Sequence, residues 1–276
     1  MGCSLSDERC SATLVLIVSH GLDEGVAMVR ALPANMSGET ARAVYVGSDA
    51  ELRSCSVAEL ANVEVERCAP VREFFAWPGQ RSFQGWWWSR TTGTLLAFES
   101  LLERQALMAW DFEPRALGLA VQPFALLWPR GAAAGQHHVP DLFVRLEGGG
   151  GGLVDVRPAE LVDARAARQF EQTRQFCAEL GWTYQVFSGL SATVRSNLEF
   201  LAGYRQDRFT LGSGFLAAAS AVFAGGRELR DGAGELSRCC ASPLAPVLAG
   251  CYHLLWCHEL HADLGVALRA STPVWR

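Results

Sequence analysis

The stretch HVPDLFVRLEGGGGGLVDVRP, residues 138–158, decides the class of fold. Its two short apolar runs are joined by a glycine-rich tether, which predicts two strands paired in a β-hairpin. Each run carries an aspartate where a strand would usually carry a hydrophobic residue. Asp141 follows Pro140 at the start of the first strand, and Asp155 lies within the second. The two acids are therefore candidates for a function.

The hairpin is expected to place Asp141 and Asp155 side by side. Alternate residues of a strand share a face, so Asp155 and Arg157 point one way while Val154 and Val156 face the apolar layer. Two buried carboxylates repel each other, and one stays protonated unless a positive charge lies between them. A divalent cation with oxygen ligands meets that need, and the pair therefore predicts a metal site.

Glu103, on the helix predicted before the hairpin, can supply a third oxygen ligand, and Arg157 offers a planar cation suited to a phosphate. Carboxylates, a magnesium-type ion and a cation that face one point are the groups used in phosphodiester hydrolysis. Spacing alone leaves an alternative open, in which Asp141 is a turn or cap residue and Asp155 forms a surface ion pair with Arg157.

The elements around the hairpin predict an α/β fold, in the form of an α/β/α sandwich around a mixed sheet. His137 and His138 precede the hairpin. The favoured interpretation is that they are solvent-facing loop residues, and the alternative is a role in the site. The predicted elements are, in chain order, a helix over 94–112, a strand over 119–128 with an edge or bulge at Pro123, the two strands of the hairpin, a helix over 159–180 that ends at Gly181, a strand over 182–188 and a helix over 191–204.

Residues 79–93, GQRSFQGWWWSRTTG, predict a loop that leads into a short hairpin. Three adjacent tryptophans cannot all face one core from a strand, because successive side chains alternate. The first interpretation is a β-ladder with aromatic residues on both faces. The alternative is a stacking surface for DNA or for a partner.

The two ends of the chain differ from this core. The first 75 residues predict a small α/β or β-rich lead-in, with strands over 13–19, 43–47 and 62–67 and a short helix over 21–32. From about residue 208, apolar helices followed by a β-hairpin are typical of a winged-helix-like module. The predicted domains are therefore 1–75, 76–207 and 208–276.

Composition limits the possible partners. Half of the 276 residues are hydrophobic, which is globular composition, and the net charge of −5 means that any basic footprint for nucleic acid must be local. No apolar run reaches the length of a membrane span, and Met1 begins a polar segment, so we expect no export signal and no membrane partner. The nine cysteines then indicate reduced thiols, and the absence of lysine indicates a GC-rich bacterial genome. We expect a cytoplasmic bacterial protein.

The spacing from Pro140-Asp141 to the acid–hydrophobic–basic run at 155–157 resembles the PD-(D/E)xK nuclease core. More narrowly, the chain is similar, over about residues 70 to 276, to the TnsA-like endonuclease subunit of heteromeric cut-and-paste transposases. The stretches that carry the likeness are FESLLER (98–104), LAVQPF (119–124), HVPDLF (138–143), LVDVRP (153–158), WTYQVFS (182–188) and HLLWCHELHADLGVAL (253–268).

The resemblance implies a restriction-endonuclease-like sandwich and assigns residues to roles. The family's helix glutamate falls on Glu103, in a Ser-x-Leu-Glu pattern, with Glu99 one turn earlier as the competitor. The motif aspartate falls on Asp141, the acid-or-amide position on Asp155 and the lysine position on Arg157. Arginine there is a departure, because it keeps the charge but cannot accept a proton near neutral pH. Whether this copy has full activity is therefore left open.

The function that the resemblance implies is a metal-dependent DNA endonuclease that uses Mg²⁺ or Mn²⁺. It would nick the 5′ ends of the element in double-stranded DNA, while a partner transposase of the DDE class acts on the 3′ ends, and a target-selection ATPase is a further expected partner. Two alternatives stay open. One is a catalytically silent subunit that binds DNA and partners, and the other is a restriction- or defence-type nuclease on the same fold.

Overall fold

The computed structural model describes residues 40–72, 83–129, 131–132, 137–212 and 214–276, together with the backbone of two strands over 15–18 and 28–31. The strands of the described residues are, in chain order, β1 (Val15–Val18), β2 (Met28–Ala31), β3 (Arg42–Val46), β4 (Leu52–Ser56), β5 (Gly85–Trp88), β6 (Leu95–Phe98), β7 (Ala116–Val121), β8 (Phe124–Leu127), β9 (His137–His138), β10 (Leu142–Leu146), β11 (Gly151–Val156), β12 (Thr183–Phe187), β13 (Arg227–Glu228) and β14 (Pro273–Val274). The helices are α1 (Val57–Leu60), α2 (Leu101–Phe112), α3 (Ala164–Glu179), α4 (Ala192–Ala202), α5 (Phe215–Phe223), α6 (Leu229–Cys239) and α7 (Leu244–Trp256).

The central sheet has the strand order β12-β11-β10-β7. The neighbours β7, β10 and β11 are antiparallel, whereas β12 lies parallel to β11. Gly148 and Gly149 have φ values of 86° and 84°, the left-handed conformation that glycine adopts readily, and they form the turn between β10 and β11. The predicted hairpin is confirmed, with Leu142 paired with Val154. A parallel pair needs a crossover connection, and α3 supplies it between β11 and β12.

Helices pack against both faces of the central sheet. One face contributes to a buried cluster with α2 and α4, which includes Leu142, Val154, Leu107 and Leu198. The opposite face contributes to a second buried cluster with α3 and the segment after it, which includes Phe143, Leu153, Phe176 and Trp182. The fold is thus mixed α/β, as predicted, and burying each of these large apolar side chains contributes roughly 2 kcal/mol.

The strand predicted over 119–128 is instead two strands that belong to different sheets. After β7 the chain turns at Gln122, whose φ is 45°, and β8 then joins a second sheet of order β4-β3-β8-β9. The Gln122 N–H donates to the Asp141 carbonyl at 3.0 Å, and its carbonyl accepts from the Val71 N–H at 2.9 Å. Pro123 lacks an N–H and cannot extend the first ladder, which is why the break falls there.

The helix predicted to begin at residue 94 begins later. Leu95–Phe98 form a strand, and α2 starts after its N-cap Ser100, whose hydroxyl accepts from the Glu103 N–H at 3.2 Å. The apolar spacing that predicted a longer helix therefore came from a strand followed by a capped helix. Four apolar residues are too few to distinguish the period of a helix, about 3.6 residues, from that of a strand, two residues.

The tryptophan segment forms the predicted hairpin of β5 and β6, with Trp87 paired with Leu96. Trp87 is buried and Trp86 is 67% exposed, so aromatic residues lie on both faces, as the first interpretation expected. The initial part of the predicted loop, residues 79–82, lies outside the described residues.

In the lead-in, the strands predicted over 13–19 and 43–47 overlap β1 and β3. The helix predicted over 21–32 is wrong for Met28–Ala31, which pair with β1 as a strand, and its other residues lie outside the described part. The predicted strand over 62–67 is also wrong, since Val65–Arg67 form a 3-10 turn.

The C-terminal segment contains predicted helices, found as α5 and α7, and also α6, which was not predicted. The predicted closing hairpin is reduced to one antiparallel bridge between His261 and Trp275. The strand pair there joins β13 to β14 across both intervening helices, with Arg227 opposite Val274. Side chains of these helices, among them Phe215 and Trp256, belong to the same buried cluster as Leu107 of α2. The segment therefore packs directly on the helix that carries Glu103.

Among the described helices, no single one is long and apolar enough to cross a membrane. The pair α6 and α7 reaches that length and composition only when taken together, and the two are bent by 120° at the break between them.

Candidate functional site

Two of the predicted site residues, Glu103 and Asp141, line one small cavity at the end of the β10–β11 hairpin. The cavity lies between α2, β6, the end of β7 and these two strands. Its other walls are apolar side chains. The two carboxyl groups therefore have few polar neighbours in the cavity to offset the cost of their burial. The lining residues are Ala97, Glu103, Ala106, Leu107, Val121, Asp141, Leu142 and Val156.

Asp141 directly precedes β10, opposite the end of β11. Its Oδ2 accepts a hydrogen bond from the Val156 N–H at 2.7 Å. Burial raises the pKa of Asp141 to about 7, and the neighbouring negative charges of Asp155 and Glu103 act in the same direction. The hydrogen bond from Val156 opposes this rise but does not cancel it. The Asp141 carboxyl group therefore ionises less readily near neutral pH than an exposed aspartate does.

Glu103 is held by the N-terminus of α2. One carboxylate oxygen accepts from the Glu99 N–H at 2.8 Å and the other from the Ser100 hydroxyl at 2.9 Å. Burial nevertheless raises the pKa of Glu103, and these two hydrogen bonds only partly offset that effect. The local pattern resembles a capping box, which fixes the direction of the carboxylate.

Glu99 lies before α2, and not one turn earlier on the same helix as predicted. Its carboxylate forms an ion pair with Arg72 and lies 3.5 Å from the Gln122 side-chain amide. Arg72 also donates to Gln122 at 2.9 Å, which closes a small network. Glu99 is therefore already paired, and it is not among the residues that line the cavity.

Asp155 lies close enough to affect Asp141 electrostatically, but its carboxylate does not line the cavity. Val156, the next residue, does, and successive side chains of a strand point to opposite faces. Asp155 is 2% exposed. Its oxygens lie 3.0 Å from His138 Nε2, and Oδ2 accepts from the Tyr184 hydroxyl at 2.6 Å. The carboxylate is thus bound on the face covered by α3.

His138 was expected to face solvent, and that expectation is wrong. It is 8% exposed, because β9 pairs with β8 and carries the ring beneath α3. Gln169 of α3 hydrogen-bonds to Nδ1, so the ring links Asp155 to that helix. Sequence reasoning also missed Tyr184, whose hydroxyl reaches Asp155 from the parallel neighbour β12. Both partners depend on strand pairings between distant segments, which local spacing does not encode.

Arg157 also lies away from the cavity. It follows the last residue of β11, and its N–H continues the ladder by donating to the Phe187 carbonyl at 3.0 Å. Its side chain is exposed and donates from Nε to the Leu161 carbonyl at 2.9 Å. The structure therefore brings Glu103 and Asp141 together, keeps Asp155 adjacent to Asp141 on the other face, and directs Arg157 outward.

A divalent cation fits the cavity chemically through Glu103 and Asp141. In the part of the chain that the structure describes, no three His, Cys, Asp or Glu side chains are grouped closely enough to hold a metal ion by themselves. Mg²⁺ is usually bound through one or two carboxylates, with waters and substrate phosphates completing its shell. Two enclosed carboxylates whose pKa values are both raised fit that mode, since a cation would stabilise their ionised forms.

Comparison of the sequence with protein-family models and with curated proteins found no match.

Proposed function

We propose that the chain is a metal-dependent DNA endonuclease with a PD-(D/E)xK-type site. The observation that carries the proposal is the cavity shared by Asp141 and Glu103, in which burial raises the pKa of both acids. Paired carboxylates in an apolar cavity are costly to the fold, so their presence favours a role in binding a cation. The sequence motif supplies the reaction class, since these are the positions that resemble the nuclease acids.

The arrangement of elements around the cavity supports the same proposal. The chain passes through α2, β7, β10, β11, α3 and β12, and the four strands are neighbours in the order β12-β11-β10-β7. Glu103 lies on α2, Asp141 directly precedes β10 and Asp155 lies in β11. This order of acids is the layout expected of a restriction-endonuclease-like sandwich. We include that finer fold, and a winged-helix-like module over 208–276, in the proposal.

Each cavity acid is oriented by a bond from this chain. The Glu99 N–H and the Ser100 hydroxyl hold the Glu103 carboxylate, and the Val156 N–H holds that of Asp141. Glu103 and Asp141 would hold Mg²⁺ or Mn²⁺, which when bound lowers the pKa of a water and draws charge from a phosphodiester. Because the donors are fixed by the backbone or by a helix cap, the two carboxylates need little rearrangement to bind a cation.

The biological setting in the proposal rests on the sequence resemblance. The chain would act as one subunit of a heteromeric transposase and nick the 5′ ends of the element in double-stranded DNA. A DDE-type transposase would act on the other strand, and a target-selection ATPase would be a further partner. Trp256 of α7 packs against Phe112 of α2, with 5.1 Å between the ring centroids, so the C-terminal segment contacts the helix that bears Glu103.

The test is a nicking assay on transposon-end DNA with Mg²⁺ or Mn²⁺, with and without the partner transposase. Wild type and Asp231→Asn, a surface control, are expected to nick, whereas Asp141→Asn is not. The asparagine keeps an oxygen that can accept the Val156 N–H, so loss of nicking would report the lost charge. Full nicking by Asp141→Asn would refute the assignment of this cavity.

A second candidate function is supported by the placement of Asp155 and Arg157. The Asp155 carboxylate is bound by His138 and Tyr184, and Arg157 is directed to Leu161. If Asp155 and Arg157 only support the fold, the chain could be a catalytically silent subunit that binds DNA and partners. The same assay separates the two, because the silent subunit would not nick under any of these conditions.

A further inference from the structure

Three exposed arginines surround the start of α3. Arg157 follows β11, and Arg165 and Arg168 lie in the first two turns of the helix. Within the described residues, none of the three takes part in an ion pair, whereas Arg174 of the same helix pairs with Glu171. In a chain with a net charge of −5, this is a local excess of positive charge, since residues 157–168 hold three arginines and two acids.

One acid beside this cluster, Asp163, has another role. It is the N-cap of α3 and accepts from the Ala166 N–H at 2.7 Å. That bond lowers the pKa of Asp163, and the charges of Arg157 and Arg165 lower it further. Asp163 therefore caps the helix between two arginines without forming an ion pair with either. Together with the exposed Glu160, it sets two negative charges against three guanidinium groups, so residues 157–168 keep a net charge of +1.

The arrangement of the arginines brings like charges close together, which is unfavourable for the chain in the absence of a ligand. Arg165 and Arg168 are three residues apart on one helix, where side chains are neighbours and like charges repel each other. Arg157 is oriented by its bond to the Leu161 carbonyl, which uses one of its five N–H donors and leaves others for a ligand. Leu161 is itself 58% exposed. An extended anion with some apolar surface would satisfy both features.

We propose that Arg157, Arg165 and Arg168 bind the phosphate backbone of double-stranded DNA beside the candidate cavity. Arg157 directly follows Val156, which lines the cavity, and although its side chain points to the opposite face, the arginines lie at the end of β11 that borders the cavity. Arg157 then acts in binding, and not in the hydrolytic step that its position in the motif suggested. This inference rests on the proposed function for the choice of DNA as the polyanion.

The test measures binding separately from cleavage. The full chain carrying Asp141→Asn is titrated into a labelled duplex of about 30 base pairs, without divalent metal, over a series of salt concentrations. Each lost phosphate contact lowers the slope of log affinity against log salt by about 0.9, so replacing all three arginines by glutamine should lower it by about 2.7. Arg157→Gln alone should lower it by about 0.9.

The matched control replaces three other exposed arginines, Arg195, Arg269 and Arg276, by glutamine, which changes the net charge equally. We expect this control to keep the slope of the parent, and thermal melting to show both triple variants folded. A slope equal in the two triple variants would overturn the inference, because bulk charge would then explain the binding. So would an unchanged slope in the Arg157, Arg165 and Arg168 variant, which would favour an acidic protein partner for this cluster.

Failure of the DNA-binding inference can be distinguished from failure of the proposed nuclease function. If wild type nicks DNA but the arginine variant binds like its control, the inference fails and the nuclease assignment stands. If wild type never nicks but the arginine variant alone loses the expected slope, the nuclease assignment fails and the DNA-binding surface stands.

Discussion

The Asp141 carboxylate accepts a hydrogen bond from the Val156 N–H at 2.7 Å, at the point where the ladder between β10 and β11 ends. A backbone donor favours the ionised acid, yet burial and the charges of Asp155 and Glu103 raise its pKa to about 7. The ionised carboxylate is therefore a source of instability that a cation would relieve.

We expect Asp141 to make the fold less stable as the pH rises. Its folded pKa, about 7, lies above the ordinary 3.8, so the folded state binds the proton more tightly than the unfolded state between these values. The free energy of unfolding then falls as pH rises through this range. Asp141→Asn should abolish that fall and gain a few kcal/mol at pH 8, at about 1.4 kcal/mol per pKa unit.

Urea unfolding of wild type, Asp141→Asn and the surface control Asp231→Asn at pH 4.5 and pH 8 measures this effect. The control should follow wild type at both values. Parallel pH dependence of wild type and Asp141→Asn would show that the carboxylate is not strained by its surroundings.

Glu103 and Glu99 should differ in their response to metal. Glu103 lines the cavity, while Glu99 is paired with Arg72, so Glu103→Gln should lose most metal-induced stabilisation and Glu99→Gln should keep it. A ligand at 100 times its Kd stabilises by about 2.7 kcal/mol, which thermal melting with and without Mn²⁺ detects readily. The nicking rates should follow the same order. Equal responses of the two variants would place the ion elsewhere.

The sequence predicted the hairpin well because glycine turns and alternating apolar residues are local signals. The start of α3 was predicted at residue 159 but lies at Ala164, after its N-cap Asp163. The pairing of β10 with β11 and the end of α3 before Gly181 do follow from residues close in sequence. The start of α2 did not, because Leu95–Phe98 owe their strand conformation to the tryptophans of β5, about ten residues earlier. The spacing of apolar residues within a segment does not show which other strand that segment will pair with.

The same distinction explains the site. Glu103, Asp141 and Asp155 were identified as acids in apolar surroundings, which is visible in sequence. The separation of Asp155 from the cavity depends on His138, which reaches it through the β8–β9 pairing, and on Tyr184, which reaches it through the β11–β12 pairing. Those contacts join segments 17 and 29 residues away from Asp155. They arise only when the sheets have formed.

Trp87 and Trp86 should differ sharply in their effect on stability. Trp87 is 5% exposed, donates from its indole to Asp111 at 3.0 Å and lies under the Arg205 guanidinium at 4.4 Å. Trp87→Ala should therefore cost about 3–5 kcal/mol, as expected for a large buried aromatic residue. Trp86→Ala removes a side chain that is 67% exposed and should cost less than about 1 kcal/mol. Denaturant midpoints measure both, and comparable losses would contradict the assigned faces.

The last prediction concerns Asp155, since it separates a metal ligand from a residue that supports the fold. Burial and the nearby Asp155 charge raise the pKa of Tyr184, so its hydroxyl remains a donor to that carboxylate at any ordinary pH. Tyr184→Phe should therefore cost about 1–3 kcal/mol, because a buried carboxylate loses a partner. Asp155→Asn should cost a similar amount. The double variant should cost less than the sum, with a coupling of about 0.5–3 kcal/mol.

In the nicking assay, Asp155→Asn should keep a measurable part of the wild-type rate, whereas Asp141→Asn should keep none. This order follows from the geometry, because Val156 and not Asp155 faces the cavity that Glu103 and Asp141 share. The opposite result would be an Asp155→Asn variant that is as stable as wild type and as inert as Asp141→Asn. Such a variant would mean that Asp155 leaves His138 and Tyr184 to bind the ion, and the three-carboxylate site expected from the motif would then be correct.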